Sequence, residues 1–160
     1  MNVRSKEGGK PTPTHASAMC VVLALMGACW TLPNSLLGLL VGVSCLPFGA
    51  RLQWRGRELA LAFRHMPWRG AGGALTLGNV ILYTSDELDM PCHTYAHRAG
   101  ERREAAISLA DHERAHVYQF MLLGPLFLPV YLLCGGVSVR NPFERSADRY
   151  AQSGRGWWPS

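Results

Sequence analysis

The sequence predicts an α-rich α+β protein seated at a membrane, and three observations carry that reading. No Asp, Glu, Lys or Arg occurs in residues 11–50, and a second uncharged run covers residues 117–139. Between these runs lies a polar, Arg-rich stretch with two short strand-like pairs set around glycine turns. After them comes a helix-forming stretch whose histidines and acidic residues recur at helical spacing. A chain of 160 residues suffices for one compact domain.

Charge and cysteine usage narrow the partners. The net charge is +5. Arg4, Lys6 and Lys10 precede the first apolar block, and Arg51, Arg55, Arg57, Arg64 and Arg69 follow it. Positive charge on both flanks suits anionic lipid headgroups and places both ends on the cytoplasmic side. The lipid bilayer is therefore the expected partner. No nucleic-acid motif accompanies the basic residues, so nucleic acid is not. The five cysteines are odd in number and contain no CxxC pair, which argues against a disulfide framework or a cysteine metal site.

Taken in order, residues 1–15 are polar and rich in Gly, Pro and Thr, the composition of a disordered tail. Residues 16–49 form an apolar block longer than the roughly 20 residues of one helical span and short for two. Pro33-Asn34-Ser35 breaks it, so it reads as a transmembrane helical hairpin or a kinked span. The basic residues on both flanks favour the hairpin. Residues 51–152 form the main domain. In it, Trp54-Arg55-Gly56-Arg57 suits a hairpin turn, and Gly78-Asn79 separates Ala74-Leu75-Thr76-Leu77 from Val80-Ile81-Leu82-Tyr83. Residues 85–100 read as loop. Residues 100–123 read as one helix, with Glu101 and Glu104 in its first turns and Gly124-Pro125 at its end. Asn141-Pro142 opens a last helix, with Asn as N-cap and Pro at the first helical position. Residues 153–160 read as a tail.

The chemistry is carried by His112-Glu113-Arg114-Ala115-His116. On a helix, positions i and i+4 share a face, so both imidazoles can reach one metal. Glu113 is offset around the helix, near enough to serve a water at that metal without occupying a ligand position. Zinc lowers the pKa of such a water to about 7, and a neighbouring carboxylate can take its proton. A bare motif of this kind is otherwise a solvated helix face. Glu144 could complete a His2Glu site, which would leave the fourth position open as in catalytic zinc sites. Asp148 follows four residues later, placed to accept the free ring N–H of a ligating histidine. Taken alone, Glu144 also suits a capping box with Asn141. Tyr118 and Tyr150 are both candidate donors to an oxyanion. His93 and His97 lie in the expected loop, where their spacing carries no geometric meaning, and either one could line the site.

His112-Glu113-x-x-His116 followed by Glu144-Arg-Ser-Ala-Asp148 resembles the gluzincin zinc metallopeptidases, especially the membrane-embedded peptidases of the heat-shock HtpX type. The chain is also similar to small uncharacterised bacterial proteins with H-E-x-x-H-V, Gly-Pro-Leu-Phe and Asn-Pro-Phe-Glu elements, here residues 112–117, 124–127 and 141–144. The resemblance covers roughly residues 74–151. It implies a zincin-like domain with one Zn2+ per chain, Glu144 as ligand and Asp148 behind it. It also implies a bacterial inner membrane, a site facing the cytoplasm, and a protein or peptide substrate. Arg114 departs from the pattern, which usually carries an uncharged residue there.

A geometric conflict bears on residues 117–139. As a straight span they would separate His116 from Glu144 by about 30 Å, and zinc bonds are about 2 Å long. A zinc site therefore requires the segment to dip in and return, as a re-entrant or interfacial hairpin. Gly124-Pro125, Pro129 and Gly135-Gly136 supply the breaks. The expected activity is peptide hydrolysis with His112, His116 and Glu144 as ligands and Glu113 as general base. The alternative is a non-catalytic membrane protein whose metal site is structural or vestigial.

Overall fold

The computed structural model describes residues 15–68, 73–101 and 103–160. The expected N-terminal tail lies, but for its last residue, outside the described residues, as do Arg4, Lys6, Lys10 and Arg69. The architecture is α+β. Helices α1 (His15–Trp30) and α2 (Leu32–Ser44) lead into strands β1 (Arg51–Arg55), β2 (Ala60–Arg64), β3 (Ala74–Leu77) and β4 (Val80–Tyr83). Then follow β5 (Pro91–Cys92), α3 (Tyr95–Arg98), β6 (Ile107–Ser108), α4 (Leu109–Leu123), α5 (Phe127–Leu133) and α6 (Pro142–Ser153).

The first four strands form one sheet in the order β1-β2-β4-β3. β2 and β4 run parallel, and the outer pairs are antiparallel. Gly78, at φ 64°, makes the tight turn that sets Leu77 opposite Val80. Side chains alternate across the sheet. One face carries Phe63, Leu77, Val80 and Leu82, packed with Phe120, Phe127 and Phe143. The other carries Ala60, Ala62, Ile81 and Tyr83, packed with Leu109, Ala110 and Val117 of α4. Thr76 pairs with Ile81 and so shares the α4 face.

α2 inverts the usual helix pattern. Its buried residues are Asn34, Ser35, Gly38 and Gly42. Leu36, Leu37, Val43 and Leu40 point outward, the last 70% exposed. A Cβ on Gly38 would stand 2.8 Å from Val80 Cβ, and one on Gly42 would stand 2.3 Å from the Phe63 ring. The glycines let the helix backbone lie directly on the sheet. α1 and α2 meet at a 68° bend rather than folding antiparallel, and the break falls at Thr31. Pro33 sits inside the first turn of α2, where its missing N–H costs nothing. The favoured hairpin is thus replaced by a bent pair.

α4, a short 3-10 turn at Gly124–Leu126 and α5 follow one another without a loop, and by length and composition Leu109–Leu133 is long and apolar enough to cross a membrane. The path is nonetheless folded. In a straight helix His116 and Tyr131 would be about 22 Å apart, yet their ring centroids lie 6.3 Å apart. Phe120 and Phe127 rings meet at 4.2 Å. The reversal is at Gly124, with φ 56° and ψ −131°. Trp30 fills the space where a Gly124 side chain would stand, and Asn34 Nδ2 donates to the Gly124 carbonyl at 2.8 Å. The bend between α1 and α2 therefore covers the bend between α4 and α5. Asn34 satisfies a backbone group that the turn would otherwise bury unpaired.

Two local expectations are corrected. Residues 100–123 are not one helix. α4 begins only at Leu109, capped by Ser108 Oγ, which accepts from Asp111 N at 3.3 Å. Glu101 and Glu104 lie before it, and Asp111 occupies its first turn. Pairing of β6 with β5 claims Ile107 and Ser108 first. Residues 85–100 are not simply loop either, since they hold β5 and α3. Thr94 caps α3 by accepting from His97 N.

Candidate metal centre

α4 and α6 pack face to face and bring the motif and the acidic pair together. α6 starts as its sequence suggests, with Asn141 Oδ1 accepting from Phe143 N at 3.0 Å and Pro142 in the first turn. Asn141 Nδ2 also donates to the carbonyls of Tyr131 and Gly136, tying the end of α5 to the start of α6. Glu144 is thereby set in the first turn of a helix facing His112 and His116. All three residues are buried, at 3%, 6% and 7% exposure.

The inner atoms converge. His112 Nε2 and His116 Nε2 are 3.1 Å apart. Glu144 Oε2 lies 3.2 Å from the first and 3.5 Å from the second. The outer atoms are all engaged. His112 Nδ1 is 3.0 Å from Asp148 Oδ1, and His116 Nδ1 is 2.8 Å from Gln119 Oε1. Tyr131 Oη donates to Glu144 Oε1. A carboxylate can only accept, so Asp148 fixes the His112 proton on Nδ1 and turns the Nε2 lone pair inward.

This donor set fits a metal ion. Glu144 Oε2 is buried and is met only by the two histidine Nε2 atoms, with no other polar partner. Two imidazole lone pairs and a carboxylate oxygen facing one another repel unless a cation lies between them. Tetrahedral bonds of about 2.05 Å place ligand atoms about 3.3 Å apart, against the observed 3.1, 3.2 and 3.5 Å. His112, His116 and Glu144 form a buried cluster that could hold a metal ion. Without one, burial lowers the proton affinity of the imidazoles, but Asp148 and Glu144 beside His112, and Glu144 beside His116, raise it on balance above the ordinary histidine range. Burial alone would raise the Glu144 carboxyl, but the charge of His116, with hydrogen bonds from both histidines, holds it well below the usual carboxylate range.

Glu113 faces the sheet side of the cluster, where Thr76 Oγ1 donates to its Oε2 at 2.6 Å. A cavity of about 20 Å3, room for one water, touches His112, Glu113, Asp148, Tyr95 and His93. The tyrosines that reach the centre are Tyr95, 6.3 Å from the His112 ring, and Tyr131. Tyr118 and Tyr150 instead pack on each other at 5.9 Å, and Tyr118 also packs against Trp157. Arg114 turns away from the ligands to pair with Asp111 at 3.2 Å and to lie over Tyr150. That placement accommodates its charge.

His93 and His97 stack at 4.1 Å, so their spacing does have a geometric result. α3 begins between them, and His93 lines the small cavity. Sequence reasoning missed Thr76, Gln119 and Tyr131. Gln119 stands three residues beyond His116, a helical-neighbour spacing that could have flagged it. Thr76 and Tyr131 carry no comparable local signal. Comparison with family models, curated proteins and solved structures finds no match to this chain.

Proposed function

We propose that the protein is a membrane-associated zinc peptidase of gluzincin type. The carrying observation is the convergence of His112 Nε2, His116 Nε2 and Glu144 Oε2, with Glu113 beside the one-water cavity. When bound, zinc would lower the pKa of a water and polarise a carbonyl. Glu113 would take a proton from the attacking water and return it to the leaving amine. Thr76 holds the Glu113 carboxylate, and Asp148 holds the His112 ring. Tyr95 stands at the cavity wall, placed to donate to a developing oxyanion. The outward leucines of α2 and the apolar, exposed surface of α1 support a bilayer as the surrounding medium. A protein or peptide segment close to that bilayer is the proposed substrate.

One observation favours a second reading, in which the metal only fastens α4 to α6. The cluster is closely buried, and its cavity admits a water but no peptide. Catalysis therefore requires the cover to move. Metal analysis of detergent-purified protein, with His116→Ala and Glu144→Ala beside wild type, tests the centre itself: about one zinc per chain, lost in both variants, is expected. Glu113→Gln separates the two readings. Loss of peptide hydrolysis with metal and fold retained supports the peptidase. A cellular phenotype that survives Glu113→Gln but not His112→Ala supports the fastener.

A further inference from the structure

Gln119 is fully buried on α4 and has no part in the chemistry proposed above. Its Oε1 lies 2.8 Å from His116 Nδ1. Its Nε2 lies within bonding distance of three acceptors: the carbonyl of Phe143 at 3.2 Å, Ser146 Oγ at 3.1 Å and the carbonyl of Trp157 at 2.8 Å. Ser146 Oγ spends its own proton on the Phe143 carbonyl, so toward Gln119 it can only accept. Carbonyl oxygens likewise never donate. The amide is therefore oriented by its surroundings, with nitrogen toward the acceptors and oxygen toward His116.

That orientation decides which nitrogen of His116 carries the proton. An acceptor opposite Nδ1 requires Nδ1–H and leaves Nε2 with a free lone pair. A flipped amide would present N–H to Nδ1, drive the proton to Nε2, and remove His116 as a ligand. The Trp157 carbonyl makes the shortest of the three contacts opposing the flip. It comes from beyond α6, from the segment read in sequence as a mere tail. That segment is fixed in turn. Trp157 packs on Tyr118 at 5.8 Å, Trp158 on Phe143 at 5.8 Å, and Arg149 Nη1 donates to Ser160 Oγ.

We infer that Gln119 is the positioning residue for His116, locked by the C-terminal segment through the Trp157 carbonyl, so that residues 154–160 are part of the metal centre. The inference rests on the metal-centre reading. It is tested by zinc affinity, measured by competition with a chromophoric chelator, and by the 15N imidazole shifts of His116 in the metal-free protein at a pH high enough to leave the ring neutral. Gln119→Met keeps the volume and loses both hydrogen-bonding ends. It is expected to weaken zinc binding about 10–100-fold, the usual cost of removing such a partner, and to abolish the preference for the Nδ1–H form. Gln119→Glu retains an acceptor for Nδ1–H and is expected to bind zinc more tightly than Gln119→Met. Removal of residues 155–160 leaves Gln119 in place, and is expected to weaken binding and mix the two ring forms. The truncation decides the matter if Gln119→Met does not fold. Unchanged affinity and unchanged ring form in Gln119→Met or in the truncation would overturn the inference. If wild type itself binds no zinc, the metal-centre reading falls, and the ring form of His116 still decides whether Gln119 positions it.

Discussion

Thr76 and Tyr131 each spend a hydroxyl on a carboxylate of the centre, and the two bonds have different consequences. Thr76 serves the proposed base, Glu113, and touches no ligand. Thr76→Val removes the donor at nearly constant volume. Zinc affinity is expected to stay within about twofold, while kcat falls, because Glu113 loses the bond that aims it. A hydrogen bond to a charged group contributes about 1.5–3 kcal/mol, so a fall of about tenfold or more is expected in steady-state assays. Tyr131 serves the proposed ligand Glu144. Tyr131→Phe is expected to weaken zinc binding by about tenfold or more, read by chelator competition. The state of Glu144 sets the pH dependence. Its carboxyl is depressed by imidazole charge, so in the metal-free protein the cluster holds protons that zinc must displace. Zinc affinity should therefore rise with pH, by about tenfold per pH unit wherever one proton leaves. The same depression contributes to stability of the metal-free fold. Its contribution is complete above the unfolded carboxylate value, near 4.3, and is lost as pH falls through the folded value.

At the scale of elements, the inverted face of α2 yields a directional prediction. Gly42→Ala places a methyl group against the Phe63 ring, where a Cβ would stand 2.3 Å away. Overpacking of this kind costs about 1–3 kcal/mol. Leu40→Ala, on the outward face, is expected to change stability by less than about 0.5 kcal/mol. Thermal unfolding in detergent checks both, and the small change at the larger residue is the signature of an inside-out helix. Elements with strong local signals were legible in advance. The Gly78-Asn79 turn fixed the β3–β4 pair, and Asn141-Pro142 fixed the start of α6 together with the spacing of Glu144 and Asp148. The start of α4 was not legible, because residues 100–108 are compatible with helix and only the distant pairing of β6 with β5 takes its last two away. The 68° bend was misplaced for a related reason. Pro33 looks like a breaker in isolation, but a proline in the first helical turn breaks nothing. Thr76 and the Trp157 carbonyl reach the centre from 37 and 38 residues away along the chain. No periodicity records contacts of that kind.

For the whole molecule, the decisive question is whether residues 109–133, set in a bilayer, would part the two halves of the candidate metal centre. A straight helix of 25 residues is about 37 Å long, ample for a crossing, and Leu109–Leu133 has that length and an apolar composition. Crossing would carry α6 away from the amino-terminal turns of α4. The fold instead reverses at Gly124, returns Tyr131 to the His116 ring, and brings Glu144 against both histidines. The outer residues of the return path, such as Leu132 and Leu133, stay exposed while its inner residues cover the ligands. That two-sidedness fits an element resting in the apolar layer without traversing it. Cys92 lies on the α3 side of the centre and Gln152 near the end of α6, so both report the side on which the centre sits. Cys92, with the other four cysteines replaced by serine, and a Gln152→Cys variant, with all five replaced, are expected to react with a membrane-impermeant maleimide from the same face of sealed vesicles. Reaction from opposite faces would mean that residues 109–133 traverse the bilayer, that His116 and Glu144 never meet, and that no single metal ion joins them.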